Sequence, residues 1–133
     1  MSEEQIVLAR RAVACKGWRW MPGMLHGTPT REGIAWTTRY SDLGLHVDAD
    51  RVPDLTDPAT LGCLLALVRE AWADECAGHT YDEFAHGWFF KSRVHDGDGG
   101  NVRILGHFRS EAEALVAALE AAPKRGEHRR EEK

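Results

Sequence analysis

Three groups of residues carry side chains able to do chemistry. In the first, His46, Asp48 and Asp50 alternate with apolar neighbours. If Leu43, Leu45 and Val47 form a strand turned to the core, the imidazole and both carboxylates share its other face. Ligands of that kind at that spacing suit Mg²⁺ or Mn²⁺ and would support a metal-assisted enzyme. A solvated strand face gives the same alternation with no ion, and Arg51-Val-Pro53 marks where the strand should stop. A stop there leaves open whether Asp50 shares the face. The second group is Cys76 and His79, with Cys63 further back. Structural zinc needs four ligands, and here the partner pair is missing. A Cys–His nucleophile and base would have to meet in space, and a helix C-terminus raises a thiol's pKa rather than lowering it. Cys63 reads more simply as a small core residue. Neither group is assigned a metal.

The third group is basic. Lys91, Arg93, Arg103, His107 and Arg109 fall opposite Trp88, Phe90, Ile104 and Phe108 in strand alternation. A strip of that kind can meet phosphates or an acidic protein surface. It can also just keep one sheet face in water. Aromatic platforms of the sort single-strand binders use are sparse, with Phe89 alone available.

Motifs of the common catalytic classes are missing from the sequence. There is no Gly-x-Ser-x-Gly elbow, no phosphate loop ending in Gly-Lys-Ser/Thr, and no His-Glu-x-x-His. Gly97-Asp-Gly-Gly100 reads as a hairpin turn. Asp74 and Glu75 are helix neighbours that diverge, and Asp82 and Glu83 fall in a loop. No catalytic residue and no cofactor is assigned. Of the five tryptophans, most fit core positions. The stretch holding Trp18, Arg19, Trp20, Met21 and Met24 reads first as a core strand beside an ordinary turn, yet aromatics, Arg and Met at a strand-turn edge are also typical of binding hot spots. With Lys91, Arg93, Arg103 and Arg109 it forms the expected partner-binding set.

The elements that must position these groups follow from periodicity. Ser2 and Gln5 form a capping box opening a first helix, which Gly17 ends. Trp18 and Trp20 alternate as a strand, His26 to Gly33 is turn material, and Ile34, Trp36, Thr38 and Tyr40 make a second strand. Asp57 caps and Pro58 opens a helix with the apolar stripe Leu61, Leu64, Leu65, Val68 and Trp72, and Gly78 closes that region. A hairpin follows, with Trp88, Phe90 and Val94 facing the core on one strand and Val102, Ile104 and Phe108 on the other. Ser110 and Glu113 then cap a helix that buries Ala114, Leu115, Ala118 and Leu119 and stops at Pro123. The expected fold is α+β, ordered α-β-β-α-β-β-α, with an antiparallel sheet of about four strands and three helices on it. Gly17-Trp-Arg-Trp20 and Gly87-Trp-Phe-Phe90 each open one of two similar ββα units.

A chain of 133 residues suits one domain, expected over 1–123, and can bury its core without a metal or disulfide. Residues 124–133 are a mixed-charge tail expected to be disordered. Net charge −4 gives no whole-protein attraction to nucleic acid or anionic membranes. Three cysteines, an odd number without framework spacing, imply a reducing compartment. An acidic start and no apolar run long enough to span a bilayer complete the expectation of a cytoplasmic protein, monomer or homodimer, with no membrane partner.

The stretch Pro53 to Trp72, and Ser110 to Ala122 after a Trp-bearing hairpin, resemble small uncharacterised phage and prophage proteins with a phage α/β/α sandwich domain. The resemblance spans roughly residues 53 to 122, more weakly Gly17 to Trp20, and its motifs are helix caps and core positions. It implies a fold and no catalytic residue. It also implies a non-enzymatic interaction protein that binds a host or phage protein, such as an inhibitor of a defence complex of the CRISPR-effector kind. A nucleic-acid-binding accessory protein and a metal-assisted enzyme are the alternatives that the residues leave open.

Overall fold

A computed structural model describes residues 3–41, 47–94 and 101–123. Among them are three helices and six strands: α1 (Glu3–Ala14), β1 (Leu25–Thr30), β2 (Gly33–Arg39), β3 (Val52–Pro53), α2 (Pro58–Trp72), β4 (Gly78–Asp82), β5 (Gly87–Val94), β6 (Asn101–Phe108) and α3 (Glu111–Glu120). The fold is α+β. Its strands form two antiparallel three-stranded sheets, ordered β2-β1-β3 and β4-β5-β6, in place of one four-stranded sheet.

Two strands replace expected turns, and one expected strand is absent. Leu25 to Thr30 carries a Gly and a Pro, which read as turn, yet it pairs along its length with β2. Pro29 is tolerated because β3 reaches only His26 and Gly27, so among the described residues no ladder partner waits on that side. β4 lies where a loop was expected. Trp18 and Trp20 precede β1 and belong to no strand. Residues 42–46, and with them His46 and most of the expected strand around it, lie outside the described residues, as do Ser2, the expected turn from Asp96 to Gly100 and residues 124–133.

Helix ends follow the capping chemistry. The Asp57 side chain accepts from Thr60 N, Pro58 sits in the first turn, and Ser110 Oγ accepts from Glu113 N. α2 stops at Trp72, well before Gly78, because Ala73 turns into the left-handed region at φ 55° and its N–H bonds back to Arg69 and Glu70.

One core joins the elements. Ala9 and Ala12 of α1, Leu64, Leu67, Val68 and Trp72 of α2, and Leu115, Val116 and Leu119 of α3 meet Met24, Val52 and Phe90. Trp72 anchors the centre: its ring lies 5.3 Å from Phe90, and its Nε1–H donates to Ala118 O at 2.8 Å. Burial of side chains this size stabilises by about 1.5–3 kcal/mol each. Arg11 pairs with Glu120 to tie α1 to α3, and Arg39 pairs with Asp57 to tie β2 to the start of α2. Among the described residues, no helix is long and apolar enough to cross a membrane.

The β5–β6 hairpin forms as expected, but its return strand faces the other way. Trp88 pairs with Phe108, whereas Phe89 pairs with Gly106, so His107 is an extra residue in β6. A one-residue bulge reverses the facing of everything before it. Phe90 therefore shares its face with Leu105, and Lys91 with Ile104. Val102 and Ile104 are exposed, correcting their expected place in the core.

Candidate functional site

Of the first chemical group only Asp48 and Asp50 lie among the described residues, and the second group does not assemble. Asp48 and Asp50 are exposed before β3 and on no strand. Cys76 is exposed after α2, and Cys63 Sγ lies 3.7 Å from Pro22 O. His79 turns instead to α3, where its Nε2 stands 3.0 Å from Glu111 Oε2, and its ring lies 5.5 Å from Trp88. Its Nδ1 is buried without a partner. Among the described residues no three His, Cys, Asp or Glu side chains form a group able to hold a metal ion.

The Trp18–Met24 segment folds inward as an aromatic knot. Trp18 meets Trp20 edge-on at 5.3 Å, and Trp20 in turn meets His26 at 5.3 Å and Tyr40 at 6.4 Å. Met24 is fully buried and is a core residue; Trp18, Trp20 and Met21 pack half-buried against that core. Arg19 is exposed and paired with Glu70 at 2.7 Å. Beneath the knot His26 is 6% exposed. Burial, with the Arg51 charge added, holds its pKa below the ordinary histidine value. Arg51 also donates to the carbonyls of His26 at 3.2 Å and Trp36 at 2.5 Å.

Those carbonyls flank a second bulge. Gly27 is opposed by two residues, Trp36 and Thr37, and Trp36 adopts φ 56° with its ring 81% exposed. Gly27 is needed here: a Cβ would stand 2.2 Å from Ile34 Cγ2.

The expected basic strip divides at the β6 bulge. Lys91 and Arg93 stay on the face opposite Phe90, now beside Val102 and Ile104. Arg103 pairs with Ser92 and so joins the helix-covered side, its guanidinium 5.7 Å from the Trp72 ring centre. His107 stacks on Phe89 at 5.9 Å, and Phe89 in turn fills the space above Gly106. Arg109 follows β6 and borders a cavity at the start of α3.

An open sheet face results. Val102 (51% exposed) and Ile104 (61%) form its apolar part, Phe89 and Gly106 adjoin them, and Lys91 and Arg93 supply positive charge. At the end of the β4–β5 hairpin Phe84 is 98% exposed, its N–H donating to Asp82 Oδ1 at 2.9 Å. Asp74 fixes the other end of β5 by accepting from Arg93 N (2.9 Å), Cys76 N (2.9 Å) and Ser92 Oγ (3.1 Å). These bonds, that from Arg93 N foremost, hold its carboxyl below the usual range. Val102, Ile104, Phe84 and Trp36 were missed as surface groups; Gly106 inside a strand pattern was the one available sign of the bulge.

The cavity beside Arg109 measures about 340 Å³ and lies between α1, the approach to α2, β5 and the start of α3. No family model, curated protein or solved structure matches the chain.

Proposed function

We propose that this chain is a non-enzymatic binding protein that docks a protein partner on the open face of the β4-β5-β6 sheet. A single observation carries the reading: Val102 and Ile104 of the edge strand β6 stand exposed on an open sheet face, with Lys91 and Arg93 of β5 paired beside them. Specific interfaces combine an apolar centre with a polar, charged rim, and contiguous apolar patches on a monomer's surface mark interaction sites. The partner that fits is a protein whose surface offers an apolar centre ringed by Asp and Glu. A phage-type inhibitor of a host defence complex, such as a CRISPR effector, is the narrower form of this proposal. It rests on the resemblance of the α2 and α3 stretches and supplies the first partners to try.

The test is affinity capture with the wild type, Ile104→Asp and Arg93→Glu, each with and without nuclease. A partner held by the wild type, surviving nuclease and lost from both variants, supports the proposal. Partners retained equally by both variants would remove this face from it. Capture abolished by nuclease would favour nucleic acid, although Arg103 and Arg109 no longer share a strip with Lys91 and Arg93.

A further inference from the structure

The cavity at the start of α3 has apolar walls and one uncommitted charge. Leu8 of α1, Leu55, Leu61 of α2 and the Trp88 ring line it, with Arg109 and Glu111 at its polar side. Its volume of about 340 Å³ lies at the small end of the range typical of small-molecule sites, about 300–1,000 Å³. Glu111 is already engaged, with Oε2 3.0 Å from His79 Nε2. Arg109, by contrast, makes no ion pair or hydrogen bond among the described residues. The cavity opens onto a shallow depression that shares Arg109 and adds Glu3, Glu4 and Glu113.

These features define one ligand chemistry. A flat apolar body is matched by Trp88 and the leucines, since aromatic and apolar walls supply most of the affinity in such sites. A single negative charge is matched by the Arg109 fork, which receives a carboxylate through two parallel N–H bonds. A doubly charged phosphate would face the carboxylates of Glu111 and Glu113 with only one arginine to offset them. We propose that this cavity binds a small aromatic carboxylate, its ring against Trp88 and its carboxylate on Arg109. The site is separate from the open sheet face and stands whether or not a protein docks there.

Benzoate and indole-3-acetate, with their neutral amides as controls, test the proposal by titration into ¹⁵N-labelled protein. The signals to follow are the Trp88 indole N–H and the Ala112 amide. At least one carboxylate should shift these signals saturably, with a dissociation constant of about 1 mM or tighter, and its amide should bind about tenfold more weakly. Arg109 is exposed, so Arg109→Gln keeps the fold; it should weaken the carboxylate about tenfold and leave the amide unchanged. Ala112→Met, which fills the cavity, should abolish both. No saturable shift from either carboxylate at about 10 mM would overturn the proposal. Equal binding of acid and amide, or Arg109→Gln binding like the wild type, would overturn it too.

Discussion

The Nε–H of Arg51 donates to Nδ1 of His26 at 2.7 Å, which fixes the buried imidazole as the neutral tautomer protonated on Nε2. The same guanidinium holds the carbonyls of His26 and Trp36 across the Gly27 bulge. One side chain thus sets both a protonation state and a backbone geometry.

Stability should fall as pH drops below about 6.5. The His26 pKa is lowered in the folded chain, so the unfolded chain takes up its proton first, near the ordinary value of 6.5. Stabilisation is fully present above that pH and declines from there toward the lower folded pKa. Urea midpoints measured from pH 8 to pH 5 should show this slope, and His26→Gln should flatten it. An unchanged slope in that variant would mean another group is responsible.

Asp57 acts in a separate, more acidic window. Its carboxyl is held far below the usual range by the two hydrogen bonds from Arg39, then by those from Thr60. Its contribution is present above about pH 4 and lost as pH falls further. Asp57→Ala should cost about 1 kcal/mol at pH 7 through loss of the helix cap, and Asp57→Asn less, since Asn also caps. Arg39 is exposed, so the ion pair itself adds little. Denaturant unfolding of the two variants side by side decides it.

The β6 bulge makes a contrast that stability measurements can read. Phe90→Ala empties a fully buried site and should cost about 3–5 kcal/mol. Ile104→Ser, on the open face, should stay within about 0.5 kcal/mol of the wild type. If Ile104→Ser were as damaging as Phe90→Ala, the strand would face the way even alternation implies, and the open face would not exist.

Trp36→Gly should stabilise the fold by about 0.5–1 kcal/mol. The left-handed backbone at φ 56° costs a non-glycine residue about 1–2 kcal/mol, partly offset by the entropy glycine loses on folding. Little burial is lost, because the ring is 81% exposed. Thermal unfolding of the two proteins side by side checks it, and a melting temperature at or below the wild type's would mean that the ring contributes more than its exposure implies.

What the sequence revealed, and what it hid, divides by the range of the interaction. α2 and α3 were legible because Asp57 and Ser110 accept from backbone N–H groups three residues on, and Pro58 sits where a helix needs no N–H donor. The β5 facing was legible too, from Trp88 and Phe90. β1 was hidden because Gly27 and Pro29 signal turns locally, while their tolerance depends on what β2 and β3 do beside them. The inward fold of Trp18 and Trp20 depends on His26 and Tyr40, and the split of the basic strip on the extra residue at His107. Cavities leave no trace in periodicity at all, so the site beside Arg109 was open only to the folded structure.

β4 pairs with β5 only as far as Lys91, and beyond it the next outward N–H, that of Arg93, is taken by the Asp74 carboxylate. A charged side chain thereby stands in the place of a strand. A strand from another molecule arriving there would have to break a charge-assisted bond and bring its carbonyl oxygens against a carboxylate. Runaway cross-molecule stacking of the kind that ends in fibrils is therefore opposed at this edge by one acidic residue, and neutralising it in acid would remove that guard.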